Sequence, residues 1–299
     1  MENFKWSLYD ITNMGNSKKT NEEIQKFFTD AGDVFDTYME EKGHSNIHYG
    51  YAAENGNAKT DGDGTNELNR KLAETVDISA DNRVLFCGCG VGGPAIWAAK
   101  NLGTESIGIN IVGHQLEQAR ENAREEGVAD RTEFRYDDLT KMQTVEDDSI
   151  DVVWAIEAVV YAENKGDFLT EARRVLGDDG RLVIAEGFKA KRYPSTEEEQ
   201  MLRQLEEGWS VPNIVYIDDF TRDMESKGLQ NVEVEDITEN IMPFAKSNAL
   251  GRHYLYLIKL QKKLNLMPEK KANHLLNLAN QYHVFRRRIL TYNIVSATV

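Results

Sequence analysis

The stretch "DNRVLFCGCGVGGPA", residues 81–95, decides the fold. Val84 to Cys87 form a short apolar run of the kind that makes a buried strand. Glycines come at once after it, and Pro94 sits where a helix would begin, a position at which its missing N–H costs little. Strand, glycine-rich turn and helix in succession bring backbone N–H groups and a helix N-terminus up to a ligand.

Outward from this unit, strands and helices alternate. Ser106–Asn110 reads as a second strand and "GHQLEQARENAREEG" as a helix stopped by Gly127. "TEFRY" is a third strand, "IDVVWAIEAV" a long apolar fourth and "RLVIAEGF" a fifth, with the helix and turn "KGDFLTEARRVLGDDG" between the last two. Such alternation predicts an α/β fold, a doubly wound and mostly parallel sheet of Rossmann-like form with helices on both faces. Before it, Thr20 and Glu23 make a capping box that opens an amphipathic stretch to about Lys42. A loop, "GHSNIHYGY", a polar Gly/Asn/Asp-rich segment at 53–65 and a helix from Thr65 to about Val76 come next. Residues 1–76 are therefore expected as a helical N-terminal lid and 77–299 as the core. A helical insertion at about 190–216 comes after the fifth strand. A helix near Asp218–Lys227, a strand at "NVEVEDI", mostly helix over 244–288 and a closing strand at "ILTYNIVSATV" complete the chain.

Composition narrows the function. Lys and Arg number 35 against 50 Asp and Glu, a formal charge of -15. So acidic a surface repels nucleic acid, whose binding needs cations to neutralise phosphates. No apolar run approaches the roughly 20 residues that span a bilayer. The N-terminus, "MENFKWSLYD", has no basic start with an apolar core, so a cytoplasmic location is expected. "IKLQKKLNLM" and "FRRRIL" could touch a membrane surface, although ordinary amphipathic helix explains them too. Cys87 and Cys89 are the only cysteines. A lone C-x-C lacks the four ligands of a structural zinc site, so the pair reads as small residues packed in the turn and no metal is expected.

The second and third strands identify the ligand of the turn. Gly88, Gly90 and Gly93 satisfy G-x-G-x-x-G, which suits a dinucleotide or S-adenosylmethionine. A dinucleotide site wants Asp or Glu at the end of the second strand for the ribose hydroxyls, and Asn110 stands there. Asp137 and Asp138 come after the third strand, where a carboxylate can accept from an adenine amino group. Together these favour S-adenosylmethionine, with S-adenosylhomocysteine as product, over a NAD-type dehydrogenase.

On these motifs, Val84–Phe188 resembles the class I S-adenosylmethionine-dependent methyltransferases, within them the group of sterol C-methyltransferases, tocopherol methyltransferases and related small-molecule enzymes. The matching pieces are "VLFCGCGVGGPA", "IGINIVGHQLEQA", "FRYDDL", "VVWAIEAVVYAEN" and "EARRVLGDDGRLVIAEGF". The resemblance implies that Gly88, Cys89, Gly90, Gly92, Asn110, Ile111, Gln115, Asp138, Leu139 and Ile156 hold the cofactor. It also marks a departure. The family usually carries an acid two residues before the first glycine, and here Phe86 stands in its place.

"NIHYGYA", residues 46–52, resembles the segment that lies over the active site in this group. Tyr51 would then face the reactive methyl, holding positive charge by cation–π attraction, and His48 is a candidate base. Glu157 closes the fourth strand, an acid in an apolar run that needs a partner. The resemblance places such a glutamate near a cationic intermediate. Tyr161, and Trp209 in the insertion, are candidates to wall the acceptor. These residues point to a small-molecule acceptor, with C-methylation of an isoprenoid or sterol-like alkene as the leading expectation. N- or O-methylation of a small metabolite is the alternative, and a non-catalytic relative is the third.

Overall fold

The computed structural model describes residues 19–32, 45–53, 62–248, 260–261, 264, 266 and 269–299. A seven-stranded sheet organises them, in the order β3-β2-β1-β4-β5-β7-β6. The strands are β1 (Arg83–Cys87), β2 (Glu105–Asn110), β3 (Thr132–Tyr136), β4 (Ile150–Ile156), β5 (Leu176–Lys189), β6 (Gln230–Asp236) and β7 (Leu290–Thr298). The first five pair in parallel, while β7 runs antiparallel to both β5 and β6.

The central strands are apolar on both faces because helices cover both. Val84 and Phe86 of β1 join Val152 and Trp154 of β4 in one core, whereas Leu85 and Cys87 join Val153 and Ala155 in the other. Side chains that alternate along a strand thus enter separate layers, as a doubly wound sheet requires. The chain order reverses between β1 and β4, and ligands of open α/β sheets bind in the crevice at such a switch point.

Helices are α1 (Asn21–Asp30), α2 (Gly62–Thr75), α3 (Gly93–Leu102), α4 (Gly113–Glu125), α5 (Lys165–Val175), α6 (Thr196–Gly208), α7 (Ile217–Ser226), α8 (Thr238–Asn248) and α9 (Glu269–Arg286). The Thr20–Glu23 capping box opens α1. Residues 33–44 of the stretch expected to continue it, and 54–61 of the polar segment, lie outside the described residues, as does most of 249–268. The second helix begins at Gly62, earlier than expected, and docks through Leu68 and Leu72, both fully buried. Residues 177–180, expected as a turn, belong to β5 as an irregularity. Ile150 pairs with Leu176, yet Val152 pairs with Arg181, so the extra residues are absorbed within the strand. The insertion carries α6, opened by a Ser195–Glu198 capping box, and rejoins the sheet where Tyr216 bridges to Lys189.

Candidate active site

The glycine turn leaves β1 with Gly88 and Cys89 donating their N–H groups to the carbonyl of Ile109, at 2.9 and 3.1 Å. Gly88, Gly90 and Gly92 have φ of 68°, 55° and 89°, in the left-handed region that side chains disfavour. A Cβ on Gly88 would lie 2.5 Å from the Ala158 Cβ, so the turn can approach β4 only without a side chain. Beyond Gly90 there is open space. The last motif glycine, Gly93, serves a different contact, since a Cβ there would strike Ser45 and Asn46 of the N-terminal loop.

These elements border one cavity of 840 Å³ at the switch point. Gly88, Cys89, Gly90, Asn110, Ile111, Gln115, Asp138, Leu139 and Ile156 all line it. Gly92 does not; it is the N-cap of α3, and its backbone conformation shapes the turn from behind. Asn110 donates to Gln115 Oε1 at 2.9 Å and accepts from the Val112 N–H, so the two amides fix each other at the end of β2. The adjacent acids divide the work. Asp137 accepts from the N–H groups of Asp138, Gln143 and Thr144 and from the Thr144 hydroxyl, which ties down the loop. Asp138 accepts from Thr140, from Asn21 of α1 at 2.8 Å and from Lys141 at 3.3 Å. Burial works against its charged form, but the hydrogen bonds from Thr140, Asn21 and Lys141 prevail and hold its carboxyl below the usual range. Cys87 faces the opposite core, and Cys89 packs beside Gly108. Both thiols are free and buried, and burial pushes their pKa up, to about 12 for Cys89. Phe86 lines the cavity with its ring 5.5 Å from that of Trp154, so aromatic surface stands where an acid was expected.

Glu157, the residue after β4, also lines the cavity, and its backbone is left-handed with φ 49°. Oε1 accepts from the Tyr49 N–H at 3.0 Å and from the Tyr292 hydroxyl at 2.8 Å. Burial outweighs these two bonds and pushes its pKa up to about 7. His48 also lines the cavity and donates from Nδ1 to the Tyr49 carbonyl at 2.8 Å. Tyr161 and Trp209 line it too, and the aromatic pair of α1 covers them. Phe28 meets Tyr161 at 5.3 Å and Phe27 meets Trp209 at 6.3 Å, ring to ring.

Tyr51 is a correction. It is not among the lining residues; its N–H donates to the Gly64 carbonyl, and it lies on the side of Lys71. Backbone hydrogen bonds from Tyr51 to Gly64 and from Ala52 to Asn240 draw this end of the loop toward α2 and α8. Tyr49, two residues earlier, takes the cavity position, its hydroxyl donating to Gln281 Oε1 at 2.8 Å.

Sequence reasoning missed four neighbours. Glu186 lines the cavity from β5 with 5% exposure. Its oxygens accept from the N–H groups of Val160 at 3.0 Å and of its own successor Gly187 at 3.1 Å. Burial, then the nearby Glu157, raises its pKa to about 8. The signal was available, because an acid within "LVIAEGF" is as conspicuous as Glu157 in its own strand. Lys165, also buried, donates Nζ to the carbonyls of Val160, Ala162 and Asn213. It joins the turn carrying Tyr161 to the insertion. Burial lowers its pKa to about 8. Tyr292 on β7 and Gln281 on α9 come from the C-terminal end of the chain, and no local pattern announces them.

A family model described as a methyltransferase domain matches residues 78–248. Methyltransferase GfsG of Streptomyces halstedii is 30% identical over 77% of this chain and 83% of its own. The 27-O-demethylrifamycin SV methyltransferase of Amycolatopsis mediterranei is 31% identical over 76% of this chain and 80% of its own. Among solved structures, a putative sarcosine dimethylglycine methyltransferase from Galdieria sulphuraria shares the fold with a TM-score of 0.73 at 18% identity, covering 89% of this chain and 98% of its own.

Proposed function

This chain belongs to the methyltransferase-domain family, and from that premise we propose that it methylates a hydroxyl oxygen of a largely apolar small molecule, with S-adenosylmethionine as donor. The residues of the turn fit that donor. Gly90 leaves an open cradle, the Asn110–Gln115 amides offer hydrogen bonds suited to ribose hydroxyls, and Asp138 supplies an acceptor for an amino group. S-adenosylmethionine supplies, when bound, a methyl group on a positively charged sulfur, open to in-line attack.

The observation that carries the reading is Glu157. Tyr49 and Tyr292 both engage Oε1, which orients the carboxylate and leaves Oε2 to take the proton of an acceptor hydroxyl. A carboxyl with its pKa raised to about 7 is a far better base near neutrality than an ordinary one. Tyr161, Trp209 and the α1 aromatics exclude water and wall an apolar acceptor. Among the described residues the lining cations other than histidine are Lys19 and Lys141, the latter paired with Asp138, so none of them offers an acceptor's diphosphate a counter-charge beside Glu157. A relative that matches most of both chains takes 27-O-demethylrifamycin SV as its named acceptor. C-methylation of an alkene is the second reading, favoured by the rings of Tyr49, Tyr161 and Tyr292, which could hold a carbocation.

Substitution of Glu157 by Gln tests the assignment. It keeps shape and hydrogen-bonding capacity but removes the base, so turnover should fall by about 10²–10⁴-fold. Binding of S-adenosylhomocysteine, measured by calorimetry, should stay within about twofold. Unchanged turnover would remove Glu157 from the chemistry.

A further inference from the structure

Two buried carboxylates face the acceptor end of the cavity, and the proposed reaction uses one. Glu186 is the other. Val160 and Gly187 hold its oxygens through backbone N–H groups, so it is fixed rather than wandering. Among the described residues no ion pair reaches it. Lys165, whose charge it feels, turns its ammonium to three carbonyls and is absent from the cavity lining. Glu157, Tyr161 and Tyr292 line the same cavity as Glu186, within range of its charge.

A buried carboxylate that no ion pair contacts is costly even with a cation in range, and the cost is relieved by a proton or by a cation that enters with a ligand. The sulfonium of the donor can offset the charge of one carboxylate, and an ammonium entering with the acceptor would draw the other into its ionised form. Aromatic faces around an acidic group make a setting that favours ammonium over neutral groups, since ring and carboxylate attract the same charge. We infer that Glu186 selects an acceptor that carries an ammonium nitrogen, protonated or quaternary, held against the carboxylate and the tyrosine rings while a hydroxyl of the same molecule is presented to Glu157. The inference rests on the O-methylation reading for the second half of that statement only; the ammonium site stands on Glu186 and its walls.

The test uses two probes that share a hydroxyl: (4-hydroxymethylbenzyl)trimethylammonium and its neutral isostere, 4-neopentylbenzyl alcohol. Each is titrated by calorimetry into the full chain saturated with S-adenosylhomocysteine. The ammonium probe should bind about tenfold or more tightly than the isostere, as expected for a charge-assisted contact in a dry site. Glu186→Gln should abolish that preference. Its affinity for S-adenosylhomocysteine, which reports an intact fold, should stay within about twofold. Equal binding of the two probes to the unaltered protein, or a preference that survives in Glu186→Gln, overturns the inference. If that substitution unfolds the chain, a pH series on the unaltered protein decides instead. The preference should fade from pH 8 to below 6 as the carboxyl pair takes up protons, and a constant preference overturns it. Methyl transfer to neutral hydroxylated acceptors without preference for amines sinks the inference and spares the O-methylation reading. Tight ammonium binding without methylation of any hydroxyl does the reverse.

Discussion

At the scale of single residues, the site is governed by burial of charge. Glu157 and Glu186 have carboxyls whose pKa values are raised by burial to about 7 and about 8, from an ordinary 4.5. Between pH 4.5 and 8 the folded chain therefore holds protons on these groups that the unfolded chain has released. Their contribution to stability is full at low pH and declines as pH rises through that window. The double substitution Glu157→Gln with Glu186→Gln should flatten the decline of the unfolding temperature between pH 5 and 8. An equally steep decline in the variant would show that the pair is not buried as described. Turnover has the opposite slope, since the base must be ionised, and kcat should rise as pH passes about 7. Phe86 gives a third test. Restoring the family's acid with Phe86→Asp replaces a ring packed at a tilt against Trp154, at 2% exposure, by an unpaired carboxyl. Chemical denaturation should register a loss of about 3 kcal/mol or more. A variant as stable as the parent would mean that the cavity is wet and polar at Phe86.

Elements explain which of these residues could be read in advance. The turn after β1 was legible because its chemistry is local, with positive φ at three glycines and no room for a Cβ at Gly88. Gly88→Ala should cost about 1–3 kcal/mol through backbone strain and displace Ala158. Calorimetry should show S-adenosylhomocysteine binding weakened with it; native affinity would argue that the turn does not hold the cofactor. Asn110 and Gln115 were equally legible, since strand end and succeeding helix are sequence neighbours. The loop at 45–53 was not. Its glycine and tyrosines pointed to the active site, but the choice between Tyr49 and Tyr51 depends on which part of the loop docks on Glu157 and which on α2. That is settled by the distant Glu157 and Gln281. The start of β5 escaped for a similar reason, because "GDDG" is turn chemistry drawn into a strand by pairing with β4.

Across the whole molecule, alternation of strands and helices was sufficient to anticipate the parallel sheet, and the switch point came with the strand order. The acceptor end was harder. It is assembled from α1, the 45–53 loop, the insertion and the C-terminal α9 and β7, so Tyr49 bonds Gln281, 232 positions away, and Glu157 bonds Tyr292, 135 positions away. Contacts at that separation leave no periodic trace in sequence.

The most direct measurement of the central claim tracks the methyl group itself. The chain is incubated with S-adenosylmethionine labelled with carbon-13 at the methyl and with hydroxylated apolar acceptors that carry an amine, and the products are resolved by NMR. The account predicts label in an O-methyl signal, lost with Glu157→Gln. Label on carbon or nitrogen, or none transferred to any hydroxylated acceptor, would contradict it.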